Sequence, residues 1–177
     1  MTNPTGTRQG RSAPPAEGGV DPRAFRDVLA GFASGVVLVS GMADEGPVGF
    51  TCQAFTSLSV DPPLVAFCPS STSVSWGRIR PAGAFCVNVL ADHQQELSAV
   101  FAQRRDDKFD HVTWRHGATG APVIDGAVAH IDCEIEEIHA GGDHEIVVGR
   151  VVDLARDRDR TPLLYFGGRY GTLIGGR

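Results

Sequence analysis

A chain of 177 residues is long enough to bury one substantial core without disulfide or metal staples, and one domain is the expectation. Lys+Arg 16 against Asp+Glu 21 gives a formal net charge of −5, and the scattered basic residues form no stripe interleaved with aromatics, which argues against a nucleic-acid partner. No apolar run approaches the ~20 residues of a membrane span, and the opening MTNPTGTRQGRSAPPAEGG lacks the apolar stretch of a secretory leader, so a soluble cytoplasmic protein with no membrane partner is expected.

Residues 1–20 are rich in Pro, Gly, Ser and Thr and cannot repay the entropy of ordering, which predicts a disordered tail ahead of a domain over 21–177. DPRAFRDVLAGF follows, with Asp21 as N-cap, Pro22 at the first helical position, and Phe25, Val28, Leu29 and Phe32 spaced i, i+3, i+4, i+7. This is the pattern of a short amphipathic helix. From Gly35 to Pro69 the runs GVVLVSG, VGFTCQAFTSLSV and LVAFCPS, separated by MADEGP and DPP, predict sequential antiparallel strands.

STSVSWGRI reads as a capped helical turn and AFCVNVL as a strand. ADHQQELSAVFA reads as a helix with Asp92 and Gln95 as a capping-box pair and Leu97, Val100 and Phe101 on one face. Ile131, Cys133 and Ile135 then alternate with Asp132, Glu134 and Glu136, and after HAGGD a second strand runs from about His144 to Leu154, which predicts a hairpin. TPLLYFGGRYGTL adds a strand, a glycine bend, and Arg169 and Tyr170 beyond it. About seven strands with two or three short helices predict a closed or split antiparallel barrel.

Cys52, Cys68, Cys86 and Cys133 lie in apolar surroundings with no CxxC pair, as expected of buried free thiols in a reducing compartment. GxGxxG, GxxxxGK[ST] and GxSxG are absent, which removes the main support for doubly wound dinucleotide binding, P-loop chemistry and α/β-hydrolase chemistry. The dipeptide at His144 and Glu145 is followed by Val148 where a zinc protease needs histidine. The six histidines show no compact ligand triplet, so no metal is expected.

Four stretches could carry chemistry. In PVGFTCQAFTSLSVDPPLVAFCPSSTSVSW a strand with Gly49, Thr51, Gln53 and Ala54 leads to a second that ends in small polar residues. Small residues let a flat ligand lie on backbone, and Ser70, Ser71, Thr72, Ser73 and Ser75 offer hydroxyls near a helix start, where phosphate is favoured. The same run also reads as a Ser/Thr-rich cap, although Trp76, Arg78 and Arg80 argue for more than capping. RRDDKFDHV at 104–112 reads as a solvated surface. His144 of GGDH is either a ligand contact or a strand-end histidine bonded to Asp143, and Arg169 and Tyr170 are equally open.

Taken in order, FRDVLAGFASGVVLVS, PVGFTCQAFTSLSVDPPLV, FCPSSTSVSW, FCVNVLADHQQELSAVFA, KF, GGDHEIVVGRV and PLLYFGGRYG resemble the flavin reductase family, the small reductase components of two-component flavin-dependent monooxygenases. The resemblance runs from about residue 22 to residue 173. It implies a mainly β fold, an antiparallel FMN-binding split barrel with a few short flanking helices, assembled as a homodimer. It also implies NAD(P)H-dependent reduction of FMN or FAD, with NADH as hydride donor or NADPH in its place. The reduced flavin would be supplied to a separate monooxygenase, an aromatic or steroid-ring hydroxylase.

The resemblance places isoalloxazine and ribityl contacts on Pro47, Val48, Gly49, Phe50, Thr51, Gln53 and Ala54, and phosphate-side contacts on Cys68, Pro69, Ser70, Val74 and Ser75. Nicotinamide-nucleotide contacts fall on His144, Gly167, Gly168, Arg169 and Tyr170. No residue is required as nucleophile or base, because hydride passes between cofactors held in stacking contact. The sequence stops soon after Leu173, short of the extension some members carry, and leaves open any nucleotide preference such an extension confers. Two other roles suit the same barrel: a flavin-binding protein without turnover, and an enzyme that keeps its flavin and reduces an organic substrate directly.

Overall fold

Asp21 caps the first helix, α1 (Pro22–Leu29), its carboxylate accepting the Ala24 amide at 3.1 Å as the sequence predicts. The structure is a computed structural model and describes residues 19–173; the expected disordered tail lies outside them except for Gly19 and Val20. After α1 come strands β1 (Ser34–Gly35), β2 (Val37–Ala43), β3 (Gly46–Cys52), β4 (Phe55–Ser59) and β5 (Leu64–Phe67), then helix α2 (Val74–Ile79) and β6 (Ala84–Val89). Helix α3 (Gln95–Phe101), the short β7 (Trp114–His116) and β8 (Pro122–Ile124), the long β9 (Ala129–Gly141) and β10 (His144–Arg156), and finally β11 (Leu164–Phe166) and β12 (Arg169–Gly171) complete the described chain.

Seven of these strands form one antiparallel sheet in the order β3-β2-β6-β9-β10-β5-β4. Its two edges, β3 and β4, are consecutive in sequence and joined only by Gln53 and Ala54. The sheet therefore curls until its edges meet at that link without pairing, which makes a split barrel. Five shorter strands form two small sheets beside it, β1-β11-β12 and β7-β8.

The barrel interior is filled by Val39, Phe67, Phe85, Val87, Cys133 and Val147. Phe67 sits at its centre, edge-on to Phe85 at 4.9 Å and to Trp76 of α2 at 5.3 Å between centroids. Gly149 of β10 has no side chain because the Phe85 ring occupies the space; a Cβ there would overlap Cζ. A second cluster, Leu38, Leu90, Phe101, Ile124 and Leu163, packs α3 and β8 against the outside of β2. Between the two, the buried Asn88 side chain donates to the Leu38 carbonyl (3.2 Å), Ser40 Oγ (3.0 Å) and the Pro122 carbonyl (3.3 Å) and accepts the Ile124 amide at 2.7 Å.

Two local expectations are corrected. The α3 capping pair is shifted by one residue: the Ala91 amide donates to the Gln94 side chain at 3.0 Å, because a single 3-10 turn, Asp92–Gln94, precedes the helix. Alternation in β9 predicts Asp132 on the solvent face, yet it is fully buried and accepts the Thr119 amide (2.9 Å) and hydroxyl (2.6 Å). The loop between β7 and β8 covers that face, with Gly117 packed directly on the carboxylate.

Candidate functional site

The split in the barrel opens a cavity of about 740 Å³, within the range of small-molecule and cofactor pockets. One wall is β3, where Pro47, Val48, Gly49, Phe50 and Thr51 line the space, continued by Gln53 and Ala54 of the edge link. The extended backbone of a sheet edge presents its own polar groups there, with apolar side chains between them. The Cys68 amide donates to the Ala54 carbonyl at 2.9 Å, so the segment leaving β5 is fixed to that link.

Cys68, Pro69 and Ser70 form the adjoining wall, followed by Ser73, Val74 and Ser75 at the start of α2. The polar run divides between two jobs. Ser73 Oγ caps α2 by accepting the Trp76 amide at 3.3 Å, and the amide and hydroxyl of Ser71 both donate to the Asp143 carbonyl, at 3.0 and 2.9 Å. Ser71 and Thr72 do not line the cavity, whereas Ser70 and Ser75 do. With only six residues in α2, these hydroxyls matter more than a helix dipole.

The third wall comes from the far end of the sequence. The β9–β10 hairpin closes with a two-residue turn, Gly142–Asp143, and Gly142 takes φ +77°, a left-handed value that suits the first central position of such a turn. The turn delivers His144 to the cavity rim, in bridge contact with Ser70. His144 Nδ1 donates to the Asp143 carboxylate at 2.7 Å, which fixes the ring and holds the Asp143 carboxyl below its ordinary range. Glu145 secures the same junction: its amide donates to the Pro69 carbonyl at 3.0 Å, and its carboxylate accepts Trp76 Nε1 at 2.6 Å and Arg80 at 2.9 Å.

The predicted contacts at the last strand pair divide. Tyr170 lines the cavity, its hydroxyl 3.0 Å from Ser98 Oγ and its ring edge-on to Tyr165 at 5.2 Å. Gly167, Gly168 and Arg169 do not line it: the glycines form the turn between β11 and β12, with φ +57° and +78°, and Arg169 is exposed.

The segment read as a solvated surface is corrected in part: Arg104, Arg105, Asp106, Asp107, Asp110 and His111 are exposed as expected, but Lys108 is buried and Phe109 half-buried. Arg104, Arg105, Asp106, Lys108 and Phe109 all line the cavity. Lys108 is buried, donating to the carbonyls of Gly49 at 3.2 Å and Phe101 at 3.1 Å. Phe109 explains the difference, because its ring packs edge-on against Phe101 at 5.0 Å and draws the chain after α3 back onto the wall. The sequence signal was the Lys-Phe pair inside an otherwise charged run. Arg78 ties the rim together, bridging Glu45 (3.3 Å) and Asp106 (3.2 Å).

The cysteines are free: Cys52, Cys86 and Cys133 are buried, while Cys68 is half-buried because it faces the cavity. Burial pushes the Cys52 thiol up to about 11, which rules it out as a thiolate nucleophile near neutral pH. Among the described residues, no three His, Cys, Asp or Glu side chains cluster as metal ligands, and no helix is long and apolar enough to cross a membrane.

Residues 29–173 match the family described as the flavin reductase like domain. The chain is 48% identical over 151 residues to the reductase subunit HsaB of a flavin-dependent monooxygenase from Rhodococcus jostii, covering 85% of this chain and 77% of that one. The solved structure of a nitrilotriacetate monooxygenase component B homologue from Mycobacterium thermoresistibile matches with TM-score 0.83 and 46% identity, over 86% of each chain. The NADH:FAD oxidoreductase SgcE6 of Streptomyces globisporus, solved with NAD and FAD fragments, matches with TM-score 0.83 and 38% identity, over 88% of this chain and 96% of that one.

Proposed function

Because this chain belongs to the flavin reductase family, we propose that it is an NADH-dependent flavin reductase that supplies reduced FMN or FAD to a separate monooxygenase. The observation that carries this reading is the convergence at the barrel split of a backbone-lined slot, a hydroxyl-bearing loop and a fixed histidine in one cavity. These residues fit a flavin: β3 offers its backbone from Pro47 to Thr51 and the half-buried Phe50 to a planar ring, and Ser70 and Ser75 offer hydroxyls to a phosphate tail. When bound, the flavin supplies the redox chemistry by accepting hydride from dihydronicotinamide. The protein's part is to hold both planar groups in contact and to exclude water from between them.

His144, fixed by Asp143, positions the dinucleotide, and Tyr170, held at Ser98, lines the same cavity. His144→Ala is expected to raise the KM for NADH about five- to tenfold, the equivalent of one lost hydrogen bond of about 1–1.5 kcal/mol, with less effect on the KM for flavin. Steady-state kinetics with each substrate varied in turn checks this; small and equal changes in both constants return His144 to a purely structural role.

The reductase reading is tested by mixing the protein anaerobically with NADH and added FMN or FAD and following the absorbance of both. NADH oxidation that requires added flavin supports it. Tight flavin binding without NADH oxidation makes the protein a flavin binder without turnover. A yellow colour that survives extensive dialysis, with no response to added flavin, makes it an enzyme acting directly on an organic substrate.

The assembly we propose is a homodimer in the cytoplasm, and the free thiols are consistent with that reducing compartment. Helix α1 supports the dimer: it buries none of its own residues, and Phe25, Val28, Leu29 and the following Phe32 are 55%, 75%, 54% and 78% exposed. An amphipathic face of this kind on an isolated chain calls for a cover. Size-exclusion chromatography with light scattering is expected to give twice the chain mass. Val28→Asp combined with Phe32→Asp is expected to give the chain mass with unchanged circular dichroism; an unaltered dimer places the interface elsewhere.

A further inference from the structure

Lys108 has only 6% of its surface exposed, and its hydrogen-bond partners are two neutral carbonyls, those of Gly49 and Phe101. A buried ammonium held by two carbonyl dipoles and the face of the Phe101 ring, 5.9 Å from Nζ to the centroid, has no carboxylate in salt-bridge contact among the described residues and leaves part of its charge uncompensated. Desolvation pulls its pKa down from the ordinary lysine value, and Asp106 on the rim pulls the other way. Two of its three N–H donors are used. The residue also lines the cavity, so an anion arriving there meets a fixed cation in a wall of low dielectric, where attraction is strong.

The anchoring point bears on which anion that is. Lys108 is tied to Gly49 in the middle of β3, the strand that offers the ring slot, and not to the hydroxyls of Ser70 and Ser75. Hydride transfer creates an anion in such a slot. The C4–H bond of the dihydronicotinamide breaks, an N5–H bond forms on the flavin, and both electrons go to the ring. NADH and FMN become NAD⁺ and the singly deprotonated hydroquinone FMNH⁻, with the charge spread over N1 and the C2 carbonyl.

Resting on the flavin reductase reading, we propose that the Lys108 ammonium is the counter-charge for this reduced ring and biases the site toward reduced flavin. Lys108→Met removes the charge while keeping an unbranched stem. The ratio of reduced to oxidised FMN affinity, measured by anaerobic titration, is expected to fall about tenfold, equivalent to about 30 mV in the two-electron potential of the bound flavin. Lys108→Arg is expected to restore most of the ratio, and riboflavin, which lacks phosphate, is expected to show the same shift as FMN.

A ratio that moves less than about threefold overturns the proposal, whether neither affinity changes or both fall together as a packing role would give. A shift seen with FMN and not with riboflavin also overturns it, by making Lys108 a phosphate ligand. The unmodified protein gives an independent reading that no folding failure of a variant can obscure. The absorbance of bound reduced FMN, followed as pH is lowered, is expected to report protonation at N1 at a lower pH than for free reduced FMN; protonation at the same or a higher pH overturns the proposal. Failure of the reductase reading is seen separately, as absence of NADH oxidation with any added flavin. A protein that turns over with an unshifted N1 ionisation remains a flavin reductase without this role for Lys108.

Discussion

Asn88→Ala is expected to destabilise the protein by about 3–4 kcal/mol. The carboxamide is fully buried and joins three elements, β2 through Leu38 and Ser40, its own strand β6, and β8 through Pro122 and Ile124. Truncation leaves the Ile124 amide without its 2.7 Å acceptor and takes the carboxamide donor from the Leu38 carbonyl and from the Pro122 carbonyl, which keeps the Ser40 hydroxyl at 2.5 Å. Each buried polar group orphaned in this way costs about 1–3 kcal/mol, more than the net worth of the hydrogen bond itself. For a chain of this size the melting temperature should fall by roughly 6–15 °C. Urea unfolding followed by tryptophan fluorescence measures the change, and a loss below about 1 kcal/mol would mean that water or a backbone shift replaces the side chain. Since Asn88 is not among the cavity residues, the folded fraction should keep its flavin affinity.

Phe67→Ala should be as damaging to stability and should also reach the cavity. Phe67 is fully buried, with Phe85 and Trp76 edge-on to it and Phe50 tilted at 6.3 Å. Removing such a ring costs about 3–5 kcal/mol, part transfer and part unfilled space. Phe50 forms part of the ring slot and the Trp76 indole holds Glu145 at the junction with His144, so both ligand walls lose support together. We expect weaker binding of flavin and a higher KM for NADH, measured at a temperature where the variant is still folded. Phe67→Leu, which keeps most of the volume, should recover more than half of both losses. A variant that is destabilised but binds both ligands normally would show that the walls do not depend on this ring.

The parts of the molecule legible in the sequence are those decided within a few residues. Asp21 and Ser73 cap their helices because an N-cap needs only its own side chain and an amide three residues on. Period-2 patterning located β9 and β10, and the glycines located the turn between them. The same patterning could not say how much of each face is covered, since that depends on what packs there. Asp132 alternates correctly, yet it lies under a loop anchored by Thr119. Lys108 is set in a run of charges, and of the two carbonyls that hold it one belongs to Gly49, 59 residues earlier. The composition of the ring slot and hydroxyl loop was readable from residues 47–54 and 68–75. Their meeting came only from the family resemblance and not from local pattern, because it depends on edge strands curling to a two-residue link.

The position of β10 next to β5 also constrains the order in which the chain can be made and folded. Leu64, Val65, Ala66 and Phe67 pair with Arg150, Gly149, Val148 and Val147, so one wall of the cavity waits for residues translated some eighty positions later. Contacts this distant in sequence slow folding, because the intervening loop must be closed before they form. While a ribosome is still adding those residues, the β4–β5 hairpin is an unpaired edge, and the pocket exists only as fragments of its lining. Competence to hold a cofactor therefore requires the β9–β10 ribbon, which lies between β6 and β5 and is made late in synthesis.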